Sequence, residues 1–457
     1  MLTIKPLLPF LPEILVLFFT VASLIAGVCA VPAKARKTAE RTVCFGFWTA
    51  LGALAFLPVS TGGAPLFVQD AFAVSVKRLI AAGALITAAF GADWLRYKKY
   101  SRFEFAPLLG FCVFGMMLTV SARSFLTQFL GIEAASFPLL FLTAYKRRGE
   151  RSTRAGTKFA VTEFAGTGLY LFGVSVIFAC FGTADFELLA AADKTRILPA
   201  VLWGLSFVAA GLAVKIGLAP FHLWAPDVYE GAPAPVTAVF AVLARLCFAA
   251  ALARIVAGPF ADLEPCRRYV LGVMGVLSVF IGGFGAVVQT NVKRLLAYTV
   301  VVQNGFLAQA LVAADLNLTA RVMFADFALL AGLSAIMLSM RVGDDLSEEL
   351  RVLSGQGRVK PVRGALFSAV FLGLAGVPPF IGFESRIALF KAAADQPVFA
   401  VLSAAGGALV MYVYLKLIRQ MYMVSAKEEL SAAPAALKTV IVLSAAASVF
   451  AAAGGWK

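Results

Sequence analysis

Eight ionisable side chains lie inside long apolar stretches of this sequence, where a charged group is costly and usually marks an ion pathway or a proton relay. The eight are Glu133, Lys158, Glu163, Lys215, Arg245, Asp326, Glu384 and Arg386. A buried acid and a buried lysine can exchange a proton, whereas arginine stays protonated and can only bind or polarise its neighbours. The residue types therefore predict proton transfer by the acids and the lysines.

Glu133 and Lys215 are the strongest candidates in this set. Glu133 lies deep in an apolar run that has no other charge, and Lys215 ends a long uncharged run five residues before Pro220. Lysine is the basic side chain that releases its proton most readily on burial. We expect Lys215 to hold its proton beside Glu133 and to release it when the acid is drawn away. A purely structural ion pair is the alternative.

Four further side chains each have two interpretations. Lys158 either takes part in proton transfer or extends its ammonium group to the membrane surface. Glu163 is a proton-entry group or part of a salt bridge at a helix end, and Asp326 is a relay residue or a helix cap. His222, the only histidine, could shuttle protons because imidazole titrates near physiological pH, or it could bond a backbone carbonyl.

These residues belong to a chain with the composition of a membrane protein. Of 457 residues, 61% are hydrophobic and only 14% are charged, whereas about a quarter are charged in a typical soluble domain. The net charge of +15 comes from basic residues in short connections between apolar runs, a pattern of cytoplasmic loops and not of a nucleic-acid-binding surface. The six cysteines show no CxxC spacing, so neither a metal site nor an iron–sulfur cluster is predicted.

The apolar runs define the expected architecture. A span needs about 20 apolar residues to cross the hydrocarbon core. With that window the sequence predicts fourteen spans, near residues 10–31, 42–60, 72–92, 105–122, 124–144, 158–182, 197–222, 233–256, 268–290, 294–314, 320–341, 361–390, 397–421 and 436–454. The expected fold class is an all-α polytopic transmembrane helix bundle, in a single domain over residues 1–457. The first span is expected to be retained, because most of the nearby positive charge follows it.

The connecting loops predict the orientation of the chain. Thirteen basic residues follow spans one, three and five: Lys34, Arg36, Lys37, Arg41, Arg96, Lys98, Lys99, Arg102, Lys146, Arg147, Arg148, Arg151 and Arg154. Only three follow spans two, four and six: Arg123, Lys194 and Arg196. Because loops rich in lysine and arginine stay in the cytoplasm, both termini are predicted to face outside.

Two of the predicted spans are interrupted. The run from Lys215 to Pro226 contains Pro220, and the run from Leu374 to Phe383 contains Pro378 and Pro379. Proline removes a helical hydrogen bond, and a broken helix inside a membrane needs protein groups or water to satisfy its backbone. Paired broken helices are typical of transporters built from two repeats. We therefore expect two inverted five-helix repeats, at about 105–256 and 268–421.

Several ordered motifs are similar to a known family. They include Leu11-Pro-Glu-Ile-Leu15, Phe129-Leu-Gly-Ile-Glu133, the long stretch from Lys215 to Thr237 that contains His222, and Gln289-Thr-Asn-Val-Lys-Arg-Leu-Leu-Ala-Tyr298. Over nearly its whole length the chain resembles subunit N of bacterial NADH-quinone oxidoreductase, an antiporter-like subunit of complex I. Long ordered matches are far more specific than one short motif.

The resemblance implies a function and a set of site residues. It implies proton half-channels, with Glu133 of span five paired to Lys215 of span seven. It places Lys158 at the lysine of span six, Arg245 at a charged position of span eight and Arg386 at the last charged position, in span twelve. It further implies a bacterial inner-membrane location and other membrane subunits as partners. No cofactor is expected in this chain, because NAD, FMN, iron–sulfur clusters and quinone belong to partner subunits.

The sequence departs from the family pattern at five positions. Arginine stands at 245 and 386 where the family usually has lysine, and Gln303 stands where it usually has histidine. Glu163 and Asp326 are additional carboxylates. Two alternatives stay open. One is a cation/proton antiporter or membrane hydrogenase subunit of the same fold. The other, indicated by the two arginines and Gln303, is a structural subunit that no longer pumps protons.

Overall fold

The computed structural model describes residues 9–30, 32–56, 66–98, 102–146, 149–194, 197–343, 345–393, 397–426 and 429–450. Lys99, Arg147, Arg148 and Arg196, which entered the count of loop charges, lie outside the described residues. Within these ranges the chain is helical apart from short connections and one small hairpin. The α-helices are α1 (Leu11–Cys29), α2 (Pro32–Phe56), α3 (Ala71–Tyr97), α4 (Phe105–Val120), α5 (Phe125–Thr143), α6 (Glu150–Phe181), α7 (Phe186–Ala191), α8 (Leu198–Ile216), α9 (Ala225–Gly231), α10 (Ala234–Val239), α11 (Arg245–Ala257), α12 (Glu264–Val287), α13 (Val292–Val312), α14 (Leu316–Ser339), α15 (Gln356–Val359), α16 (Pro361–Ala375), α17 (Ile381–Ala392), α18 (Pro397–Met423) and α19 (Ala435–Phe450).

The predicted all-α polytopic architecture is confirmed. Each of the fourteen predicted spans overlaps a helix or a pair of helices in the structure. Among the described residues, ten helical segments are long and apolar enough to cross a membrane, and three further apolar helices are shorter. The hairpin pairs β1 (Arg341–Val342) with β2 (Asp345–Leu346) in antiparallel register, Arg341 opposite Leu346.

Two predicted boundaries are wrong. Helix α2 begins at Pro32 and α6 at Glu150, ten and eight residues before the predicted starts of their spans. Basic residues such as Arg36 and Arg154 therefore lie in the first turns of these helices and not in the connections. The apolar window misses such turns because a helix continues through charged residues once its apolar part is anchored.

The chain forms two compact units. Unit 1 contains the described residues up to Ile216 together with Gly231–Val239 and Leu243–Cys266. Its helices α6 and α8 pack closely through glycines. A Cβ atom added at Gly211 would lie only 2.6 Å from the carbonyl oxygen of Gly166. Small residues let two helix backbones approach in this way, and the side chains beside them are brought together.

Unit 2 contains Gly217–Glu230, Phe240–Val242 and the described residues from Arg267 onward. Helices α13 and α14 are buried over most of their length, so they form its centre. A buried hydrogen bond of 2.6 Å joins the hydroxyls of Thr299 on α13 and Tyr414 on α18. Buried polar contacts of this kind fix the relative register of packed helices.

Both predicted helix interruptions are present. Helix α8 ends at Ile216, Gly217 has φ +78°, and a short 3₁₀ helix covers Phe221–Trp224. Helix α16 ends at Ala375, Gly376 has φ +70°, and α17 begins at Ile381. Glycine is the residue that adopts this left-handed backbone conformation without a steric penalty. Lys215 therefore lies in the last turn of an interrupted helix.

Candidate functional site

Lys215 lies at the centre of a buried polar cluster in unit 1. Its side chain is only 1% exposed, and the neighbouring residues of α8 are mostly apolar. The ammonium group forms an ion pair with Glu163 and donates a hydrogen bond of 3.0 Å to the hydroxyl of Thr167. The ring of Phe248 lies 5.8 Å from the same nitrogen. The buried ammonium is therefore surrounded by an acid, a hydroxyl and an aromatic ring.

Glu133 joins this cluster through the same hydroxyl. Its Oε1 atom lies 3.7 Å from Nζ of Lys215, and Thr167 donates to that oxygen at 2.7 Å. Lys215 therefore donates to Thr167, and Thr167 donates to Glu133. Such a chain of donors can pass a proton in steps, because each hydroxyl can accept one proton while it gives up another.

Glu163, which the sequence offered as a proton-entry group or a helix-end salt bridge, is the direct partner of Lys215. Its carboxylate contacts Lys215 directly, accepts a hydrogen bond from Ser136, and is buried. The buried face of α6 runs through Gly156, Phe159, Glu163, Gly166, Tyr170 and Gly173. This spacing of three and four residues places the acid on the small-residue face that packs against α8. That periodicity, visible in the sequence, could have identified Glu163 as an acid that faces a packed helix.

Lys158 and Arg245 take up different positions in unit 1. The expectation that Lys158 begins its span is wrong, because α6 begins eight residues earlier. Lys158 is half-buried and lies about 7.5 Å before Glu163 along the helix axis. Arg245 is buried at the start of α11, directly after a π-helical turn over Phe240–Ala244. Turns of this kind occur often at functional sites.

Arg386 lies in unit 2, at the second helix interruption. Its guanidinium donates hydrogen bonds of 2.7 and 2.8 Å to the carbonyls of Ala375 and Leu374, the last two residues of α16. It also stacks on Phe306, with 4.6 Å between the guanidinium carbon and the ring centroid. The arginine thus satisfies two carbonyls that the interruption leaves without helical donors.

Asp326 provides the carboxylate that interacts electrostatically with Arg386. It is buried within α14, ten residues beyond the start of that helix, and the cap of α14 is Asp315. The helix-cap interpretation of Asp326 is therefore wrong. Glu384 occupies the first turn of α17 and lines a cavity of about 760 Å³ together with Arg321 and Lys391.

His222 lies in the 3₁₀ helix of unit 2 and is 6% exposed. Its Nδ1 atom is buried and has no hydrogen-bond partner within the described part of the chain. Gln303 is buried in α13, while Lys293, near the start of that helix, forms an ion pair of 2.7 Å with Glu348. Among the described residues, no group of three or more His, Cys, Asp or Glu side chains is placed to hold a metal ion.

The sequence of this chain matches a known family. The model of the NADH:quinone oxidoreductase/Mrp antiporter transmembrane family matches residues 122–411. The NADH-quinone oxidoreductase subunit N of Paramagnetospirillum magneticum is 35% identical over 433 residues, which cover 91% of this chain and 88% of the relative. The chain belongs to the subunit N family. The Rhodospirillum rubrum member of the subunit N family is also 35% identical, over 96% of this chain and 93% of its own.

Two solved structures share the fold of this chain. A chain of respiratory complex I from Thermus thermophilus superposes with a TM-score of 0.84 at 25% identity, covering 97% of both chains. A chain of the Mrp complex from Dietzia sp. superposes with a TM-score of 0.77 at 22% identity, covering 95% of this chain and 82% of the other. The similarity to the Mrp complex chain is a similarity of fold alone.

Proposed function

We propose that this chain is the proton-translocating membrane subunit of a bacterial NADH-quinone oxidoreductase. The observation that carries the proposal is the buried ammonium of Lys215, which contacts Glu163 and reaches Glu133 through Thr167. The names of the relatives support assembly with other membrane subunits of the complex. Electron transfer from NADH to quinone, with FMN and iron–sulfur clusters, takes place in the partner subunits.

Lys215 exchanges its proton with two acids in this proposal. The ammonium gives a proton directly to Glu163, or it gives one to Thr167 while the hydroxyl passes its own proton to Glu133. In both cases a neutral amine and a neutral acid replace an ion pair, so the net charge of the pair is unchanged. A change of charge or conformation in the partner subunits, driven by quinone reduction, then shifts the balance between these routes.

The other charged residues have supporting roles in the proposal. Lys158, on the same helix as Glu163, is the entry-side proton donor. Arg245 and Arg386 keep a fixed positive charge and bias the acids near them, because arginine does not release its proton. His222 shuttles protons at the interruption after α8. Both termini face the periplasm, the chain lies in the inner membrane, and residues of about 105–256 and 268–421 form the two inverted repeats.

Proton stoichiometry tests the proposal. In the assembled complex, Lys215→Ala is expected to abolish the coupled pumping by this subunit, and Lys215→Arg to retain part of it, because the arginine keeps the charge beside Glu163. The measurement is the number of protons moved per electron in proteoliposomes. An unchanged number in the alanine variant would indicate a structural subunit. Purification without NADH- and quinone-binding partners would instead favour an independent antiporter or a hydrogenase subunit.

A further inference from the structure

A second buried lysine–glutamate pair lies in unit 1, at Glu13 and Lys77. The Lys77 side chain is 0% exposed and the Glu13 side chain 2%, and the two form an ion pair. Lys77 also donates a hydrogen bond of 2.6 Å to Gln69, and Ser121 donates one of 3.4 Å to Glu13. Three separate segments of the chain, at the start of α1, around the start of α3 and at the end of α4, thus converge on one buried pair.

This pair has the same chemistry as the Lys215 site. In both, one carboxylate oxygen (Oε1) accepts from a lysine and also from a serine, Ser121 at Glu13 and Ser136 at Glu163. The other oxygen of Glu13 is buried and has no hydrogen-bond partner in the part of the chain that the structure describes. A buried carboxylate oxygen without a partner is a place where a water molecule or a proton is bound favourably.

A second ion pair, between Asp70 and Arg254, lies beside the first, and both of its members stay charged. Arg254 donates to both carboxylate oxygens of Asp70, at 2.9 and 3.1 Å, and also to the carbonyl of Val120. Burial by itself raises the pKa of Asp70. The charge and hydrogen bonds of Arg254, together with the hydrogen bond from Ala73 and the charge of Lys77, leave that pKa below its usual value. Asp70 and Arg254 are the other charged groups that act on Lys77. Glu13 and Lys77 are therefore the two groups of this cluster that can exchange a proton.

The cluster lies at one membrane face of unit 1. Glu13 is in the first turn of α1, Asp70 caps the start of α3, Ser121 caps the end of α4, and Arg254 is in the last turn of α11. Glu133, in contrast, is the ninth residue of α5, about 12 Å along the axis from the start of that helix. The two lysine sites therefore lie at different depths.

Buried polar groups occupy the space between the two sites. Tyr170, one turn beyond Thr167 on α6, donates to Gln128 at 2.9 Å. Gln128 donates in turn to the carbonyl of Ala251 at 3.1 Å, and Arg254 follows one turn later on α11. Polar groups at this spacing can support bound water between packed helices.

We propose that Glu13 and Lys77 form a second proton-exchange site, through which protons from the Lys215 site leave unit 1 at the membrane face where α1 begins. Lys77 transfers its proton to Glu13, which leaves a neutral amine and a neutral acid. The acid then releases the proton to water at that face. A proton arriving from the Lys215 site restores the ammonium, so one proton enters and one leaves. This inference rests on the proposed function.

The test compares lysine-to-arginine substitutions in the assembled complex. Lys77→Arg keeps the ion pair but cannot release a proton, so the protons moved per electron are expected to fall to the value of Lys215→Arg, the same change at the first site. Lys194→Arg is the matched control, because Lys194 is a buried lysine paired at 3.1 Å with Asp262, whose side chain is 56% exposed. This control is expected to pump like the unmodified chain.

The outcomes separate this inference from the proposed function. A normal proton number in Lys77→Arg, with a lowered number in Lys215→Ala, would overturn the second site and leave the proposed function standing. Normal numbers in both variants would overturn both. If Lys77→Arg does not assemble, the double variant Glu13→Gln with Lys77→Met decides the question, because it removes both charges together and leaves neither buried alone.

Discussion

Lys215 and Glu163 form the direct ion pair of the buried cluster, although 52 residues separate them in the sequence. Their helices, α8 and α6, pack through glycines at positions 211 and 166. Glu133 interacts with the same ammonium mainly through Thr167. The lysine therefore has one acid in contact and a second acid one hydroxyl away.

Glu163→Gln is expected to impair pumping at least as strongly as Glu133→Gln. Removing the contacting acid leaves a buried ammonium without its closest counter-ion, which costs about 3–5 kcal/mol in comparable pairs. The measurement is the proton-to-electron ratio of the assembled complex. Glu187→Gln is a suitable control, because the Glu187 side chain is 69% exposed. Pumping at the normal ratio in Glu163→Gln would exclude this acid from the transfer route.

Thr167→Val is expected to slow proton transfer without preventing assembly. Valine keeps the shape of threonine but removes the hydroxyl that joins Lys215 to Glu133, a loss of roughly 1–3 kcal/mol for the buried group left without its partner. Thr167→Ser should retain most of the rate because the hydroxyl remains. The rate of proton uptake by proteoliposomes measures the effect. Thr157→Val, an exposed position on the same helix, is the control; equal rates in the two valine variants would contradict the relay.

Gly211→Ala is expected to separate α6 from α8 and to weaken the cluster. The new Cβ would lie 2.6 Å from the Gly166 carbonyl oxygen, so the backbones must move apart, at a cost of about 1–3 kcal/mol. Gly168→Ala on α6 is the matched control, because nothing lies within 4 Å of its added Cβ. Thermal stability and pumping should both fall in the first variant only. Similar behaviour of the two variants would show that close packing does not set the geometry.

Arg386→Met is expected to destabilise unit 2. The change leaves the carbonyls of Leu374 and Ala375 without their donors, and each buried carbonyl without a partner costs about 1–3 kcal/mol. Arg386→Lys should lie between this variant and the unmodified chain, since one ammonium reaches fewer of these oxygens. Thermal denaturation of the purified complex provides the comparison, with Lys391→Met, an exposed position on α17, as control. A denaturation temperature unchanged in Arg386→Met would show that these hydrogen bonds do not support the interruption.

The sequence by itself determined the membrane class, the positions of the spans and the two helix interruptions. These features depend on local composition: apolar length decides whether a segment crosses a membrane, and glycine with proline decides where a helix must end. The same local information marked Lys215 and Glu133 as charges within apolar segments. It placed the starts of α2 and α6 too late, because charged first turns look like loop when hydropathy alone is considered.

Only the tertiary structure decided which charges meet. The geometry of three contacts depends on how helices pack: Glu163 with Lys215, Glu13 with Lys77, and Arg386 with the end of α16. A local sequence pattern does not specify how two helices are rotated relative to each other. The glycine face of α6 shows how the local sequence pattern and the tertiary packing are connected. Its three- and four-residue spacing is written in the sequence, but the partner of Glu163 on that face is fixed only when α8 packs against it.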